Sequence, residues 1–339
     1  MIELGIFTFA DIAGPVSPRE RIRDIVDYGA YADEAGLDVF GVGEHHTPRF
    51  AVSSPAVVLA AVAARTSTIT LSSAVSVLSV LDPVRLHQDF AQLDLVSGGR
   101  AEITAGRSAY AEPFEIFGVP LENYDAVFDE KLDLLLKLRT GNPVTWTGNF
   151  RPPLHGATIT PRTGRALPVR LGVGGTAASA ARAARLGLPM TLAVLLGRPQ
   201  QAKPVADLYW QTGQELGHKA DELSIGIVSH FHVGTTSQTA RDTFYPHYRS
   251  YVSDGRGIDI TRPAFDAMAS PHGALMVGSP QEVIDKIMLE HELLRLDRFM
   301  GQIDLGGLRR ADALRSIELF ATEVAPVLRR ELAHQLRPR

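Results

Sequence analysis

The stretch GVGEHHTPRF (41–50) ends an apolar run in Glu44, His45 and His46. A carboxylate and two imidazoles where a strand stops are open to three roles: metal binding, proton transfer, or hydrogen bonding on a loop. Neighbouring strand residues point to opposite faces, so His45 and His46 do not readily grip one ion. The chain has no cysteine and no HExxH spacing, which leaves a zinc site without support. One imidazole turned into a pocket suits general acid–base catalysis, because its ordinary pKa of about 6.5 lies near neutrality. A histidine bonded to a neighbouring loop is the structural alternative.

A second pattern is GVGGTAASAARAA (172–184). Three glycines end a strand and Thr176 opens a helix, so backbone N–H groups at Gly174 and Gly175 would face an anion with the positive helix end behind them. Thr176 and Ser179 lie three apart, on one face of the first turn. The spelling Gly172-x-Gly174-x-x-Ala177 fits a loose dinucleotide fingerprint, but the ribose-binding acid that motif needs about 20 residues on is missing; the next acid is Asp207. A mononucleotide phosphate fits better, with a glycine-rich packing turn as the alternative. In SGGRAEITAGRSAY (97–110), Arg107 just past a strand can pair with a phosphate or make a surface ion pair. Tyr110 and Phe114 suit either a flat aromatic ligand or packing. His230 and His232 share a strand face, open to entering a pocket or to hydrogen bonding at a strand end.

These residues need a scaffold that gathers strand ends. Short apolar runs at 2–9, 38–44, 69–78, 100–106, 169–175, 189–196, 223–234 and 297–305 read as strands. Amphipathic stretches at 19–36, 54–66, 82–99, 125–138, 176–186, 204–217, 237–270, 280–294 and 311–333 read as helices, with Ser54 and Asp82 as N-caps followed by proline. The turn-rich piece 140–168 reads as an inserted hairpin. Eight βα units favour a (β/α)8 TIM barrel with insertions after strands 4 and 7, over an open doubly wound sheet. A single domain over 1–339 is expected, with catalytic residues where strands end.

Composition narrows the partners. The 339 residues are 45% hydrophobic and 21% charged, with a formal net charge of −4 scattered along the chain. Nothing in that balance points to nucleic acid or a membrane surface. The N-terminus lacks a secretory pattern and no run reaches a membrane span, so a cytoplasmic protein is expected.

Taken in order, GEHHTPRF, SSAVSVLSVLDPVRLHQDFAQLDLVSGGR, AGRSAYAEPFEIFG, VRLGVGGTAASAARAARLGLPM and VGSPQEVIDKI make the chain resemble the bacterial luciferase-like family of flavin-dependent monooxygenases over nearly its whole length. The resemblance implies a barrel, a homodimer, and flavin mononucleotide (FMN) at the C-terminal mouth. It places His45 beside the reactive flavin edge as an acid–base group, and Ala74-Val75 against the ring system, often through a cis peptide. It makes Arg107, Gly175, Thr176 and Ser179 phosphate contacts. Gly106 stands where luciferase has a reactive cysteine, and Gly175 where it has a glutamate; both departures argue against light emission from a long-chain aldehyde. The implied reaction uses reduced FMN and dioxygen to oxygenate a small organic substrate, with a separate flavin reductase as partner. Hydride transfer with a deazaflavin, and a barrel that binds flavin without catalysis, are the competing readings.

Overall fold

Eight parallel strands close on themselves in a computed structural model that describes residues 2–335. They are β1 (Glu3–Thr8), β2 (Val39–Val42), β3 (Thr70–Ser73), β4 (Ala101–Gly106), β5 (Val169–Val173), β6 (Met190–Ala193), β7 (Ile225–Val233) and β8 (Leu296–Gln302). Each pairs with the next, β8 pairs with β1, and Val228 of β7 sits opposite Ala193 of β6. Helices follow the strands on the outside, which is the (β/α)8 barrel.

Alternation along each strand separates two environments. Leu4, Ile6, Val42, Leu71, Ile103 and Leu171 are buried in the main core shared with helix residues such as Leu59 and Phe90. Burying side chains of this kind is worth roughly 1.5–3 kcal/mol each. The alternate positions turn into the barrel. Near its N-terminal end, Arg298 donates to both oxygens of Glu102 at 2.5 and 3.0 Å and to Glu3 at 2.8 Å. Ser72 adds a 2.9 Å bond to Glu102, and Arg170 donates to the carbonyl of Met190 at 3.0 Å. Burial pushes the Glu102 carboxyl up, but Arg298 and Arg170 outweigh it and hold the group below its ordinary value. Above this charged layer, Phe7, Val39, Val228 and Met300 form a small apolar cluster.

The two insertions fall where expected. After β4 come the helix Glu112–Ile116, the helix Tyr124–Thr140, and an antiparallel hairpin pairing Val144–Trp146 with Leu154–Ala157. After β7 come helices Ser237–Arg256 and Arg262–Met268 and a short strand, Met276–Gly278, that extends the sheet beside β7.

Three local expectations change. The strand predicted over 69–78 stops at Ser73 and resumes only at Ser76–Val77, because the chain turns at Ala74-Val75, whose peptide is cis. The helical stretch 237–270 is two helices, divided after Gly257 in the left-handed region (φ 65°). Asp82 caps its helix through bonds from the Val84 and Arg85 amides, whereas Ser54 precedes its helix without a side-chain cap bond.

Candidate active site

A cavity of about 360 Å³ opens at the C-terminal end of the barrel. Every strand, or the turn after it, supplies part of the wall. Phe9 follows β1, His45 follows β2, Ala74 and Val75 follow β3, and Arg107 follows β4. Gly174 and Leu195 follow β5 and β6, while Val228 of β7 and Met300 of β8 close the floor.

The Glu44-His45-His46 motif divides its labour. Glu44 is 4% exposed and uses both oxygens within the protein: one takes a 2.8 Å bond with His46 Nε2, the other accepts the Val77 N–H at 2.9 Å. That second bond anchors the turn carrying Ala74-Val75. His45 turns the other way. Its amide donates to the Val52 carbonyl at 3.0 Å. Its ring stacks on Phe50 (centroids 3.9 Å apart) and meets Phe9 and Tyr110 edge-on at 5.1 and 5.5 Å. Nε2 is buried without a hydrogen-bond partner. Burial, reinforced by His46 and Arg49, pushes the His45 pKa down to about 3. The imidazole is therefore neutral at ordinary pH, not half-protonated as its free value suggests. A neutral ring can donate its N–H or accept a proton at its lone pair; it holds no spare proton at rest.

Val75 sits where two glycines make space. A Cβ at Gly106 would lie 2.4 Å from one Val75 methyl, and a Cβ at Gly172 2.8 Å from the other. Val75, Gly106 and Gly172 give the cavity a close-packed run of small apolar residues.

Another part of the lining has the chemistry of an anion site. Gly175 has φ +98°, and a Cβ on Gly174 or Gly175 would meet nothing within 4 Å, so this backbone borders open space. Thr176 caps the helix Ala177–Arg185, and its hydroxyl lies 2.8 Å from Ser179 Oγ. Arg107 donates to Ser179 Oγ at 2.7 Å, pairs with Asp125, and lies 4.8 Å over the Tyr124 ring. One turn beyond Ser179, Arg182 pairs with Asp129 and lies 5.6 Å over the Phe128 ring. Two guanidiniums, two hydroxyls and a helix N-terminus converge on one corner.

Of the residues singled out in the sequence, Glu44, His45, Ala74, Val75, Gly106, Arg107, Gly172, Gly174 and Thr176 line this cavity. Ser179 stands behind Thr176 and Arg107. Gly175 lies in the turn but is not part of the lining, and Tyr110 reaches the cavity only through His45. Phe114 packs with Val77 and Val80. His230 bonds Gln302 at 2.8 Å, and His232 stacks on Phe244 with its pKa pushed down to about 4 by burial; neither lines the cavity. The apolar wall residues Phe9, Leu195, Val228 and Met300 carried no sequence signal, since lining and core look alike in a strand. Arg182 carried one: it follows Ser179 by three positions on the same helix. Among the described residues no group of three or more His, Cys, Asp or Glu is placed to hold a metal, and no helix is long and apolar enough to cross a membrane.

Known proteins bear on this geometry. The alkanal monooxygenase alpha chain of Photorhabdus laumondii is 25% identical over 341 residues, covering 92% of this chain and 94% of that protein. The crystal structure of monooxygenase RslO1 from Streptomyces bottropensis superposes with a TM-score of 0.87 at 24% identity, covering 96% of this chain and 99% of that one. The oxygenating constituent of 3,6-diketocamphane monooxygenase from Pseudomonas putida, a type II Baeyer-Villiger monooxygenase solved with FMN, superposes with a TM-score of 0.79 at 19% identity, covering 96% and 98%. A sequence profile for luciferase-like monooxygenases matches residues 2–295. The chain belongs to the luciferase-like monooxygenase family.

Proposed function

We propose that this protein is an FMN-dependent monooxygenase that oxygenates a small organic substrate, supplied with reduced flavin by a separate reductase. The observation that carries this reading is the make-up of one cavity. Its lining combines small residues at Ala74, Val75, Gly106 and Gly172, a neutral imidazole at His45, and Arg107 and Thr176 at a helix N-terminus. A planar ring system with a phosphate tail matches this combination. Ala74, Val75 and Gly106 would hold the ring; Gly174, Gly175, Thr176, Ser179 and Arg107 would hold the phosphate. When bound, reduced FMN activates dioxygen for transfer of one oxygen atom to the substrate.

The chain's own part is binding, orientation and proton handling. Phe9, Leu195, Val228 and Met300 give the remaining wall an apolar surface that excludes water and suits an apolar substrate. His45, whose Nε2 is buried without a hydrogen-bond partner, would donate or accept a hydrogen bond at the reacting edge.

The test is a titration of the purified protein with FMN, riboflavin and a deazaflavin, followed by dioxygen uptake with reduced flavin across a panel of substrates. FMN should bind more tightly than riboflavin, and Arg107→Ala should erase most of that difference. Preferential binding of the deazaflavin would overturn the oxygenase reading. Dioxygen consumption that never yields an oxygenated product would overturn catalysis.

A further inference from the structure

Both arginines of the anion corner already hold a carboxylate. Arg107 Nη1 is paired with Asp125, and Arg182 with Asp129; Asp125 also lies 3.6 Å from Arg182. The two acids sit one turn apart on the helix Tyr124–Thr140, whose first residue, Tyr124, lines the cavity. Asp125 is 70% exposed, whereas the arginine it holds is 19% exposed. Arg182 Nη1 is buried with no partner at all.

We propose that Asp125 is an internal competitor for the phosphate of the bound flavin, set there to keep cofactor affinity low enough for exchange. The inference rests on assigning this corner to the flavin phosphate. A carboxylate and a phosphate satisfy a guanidinium through the same charge-assisted hydrogen bonds, so they are alternative occupants of Arg107. Releasing Asp125 costs little, because its carboxylate is mostly exposed and regains hydration, while the phosphate takes over the half-buried guanidinium. Once displaced, its negative charge still lies near the phosphate and opposes it. Asp129 adds to that repulsion from one turn further along. Weak holding of the phosphate suits a flavin that arrives reduced from elsewhere and leaves again.

The experiment measures FMN and riboflavin dissociation constants by flavin fluorescence at low ionic strength, for the wild type, Asp125→Asn and Asp207→Asn. Asp207 removes a like charge from the distant helix Lys203–Glu215 and serves as the control. The expected result is FMN binding tightened by about three- to tenfold in Asp125→Asn, with riboflavin binding and the Asp207 control unchanged. Inorganic phosphate should also compete with FMN more effectively in Asp125→Asn. Unchanged FMN affinity in that variant would overturn the proposal. Weakened affinity would also overturn it, by making Asp125 a positioning residue for Arg107. If the wild type binds FMN no better than riboflavin, the corner is not a phosphate site, and the functional assignment fails together with this inference.

Discussion

The two ends of the barrel interior handle polar groups in opposite ways. At the N-terminal end, Glu102 accepts from Arg298 and Ser72 and lies beside Arg170, so its burial is compensated from several strands at once. At the C-terminal end, His45 Nε2 is buried with no partner, and Gly174 and Gly175 border open space. A satisfied network closes the barrel; an unpartnered ring nitrogen at a cavity wall leaves hydrogen-bonding capacity for something that is not protein. The contrast teaches where to look: charge alone does not mark a site, since the most heavily charged layer here is structural.

The largest effect should come from breaking the lower layer. Glu102→Ala leaves Arg298 with Glu3 alone and removes the buried negative charge that offsets Arg170, which should cost about 3–5 kcal/mol of stability. Urea denaturation measures it; Glu102→Gln should recover part of the loss through its retained hydrogen bonds. A change under about 1 kcal/mol would mean the network carries little of the fold.

Next comes the mouth. His45→Ala should lower turnover on the order of a hundredfold while leaving FMN affinity nearly intact. The pH profile of the wild type should also show no inflection near 6.5 from this residue, because burial holds its pKa near 3. Unaltered turnover would reduce His45 to a packing partner of Phe50.

The smallest effect tests a histidine outside the cavity. His232 titrates near 4 in the folded chain and near 6.5 when unfolded. Between those values the unfolded state binds more protons, so native stability falls as pH drops through that window, by up to about 1.4 kcal/mol per unit. His232→Phe removes this loss. Its melting temperature should gain on the wild type as pH falls from 7 to 5, and little above pH 7. A constant difference between the two proteins would mean that His232 titrates alike in the native and unfolded states.

Much of the architecture was legible because strand and helix periodicities are local. The eight βα units, the two insertions and the Asp82 cap all follow from residues within a few positions of one another. Local rules failed at Ala74-Val75, where the turn is held by the Val42 carbonyl and by Glu44, some thirty positions earlier in the chain. They also missed the division of 237–270, because one left-handed residue at Gly257 ends a helix without changing the hydrophobic pattern. In the site, GEHH and GVGGT were visible as polar and glycine residues at strand ends. Which histidine faced the cavity came from the family resemblance and not from local patterning.

By itself, the sequence determined that strand ends would carry an imidazole, a glycine-rich helix start and an arginine, because short-range patterning places such residues at those ends. Only the tertiary structure decided that His45 faces the cavity while His46 is held by Glu44, and that Arg107 meets Ser179 and Asp125. Those choices depend on burial and on partners distant along the chain, and neither exists until the barrel closes.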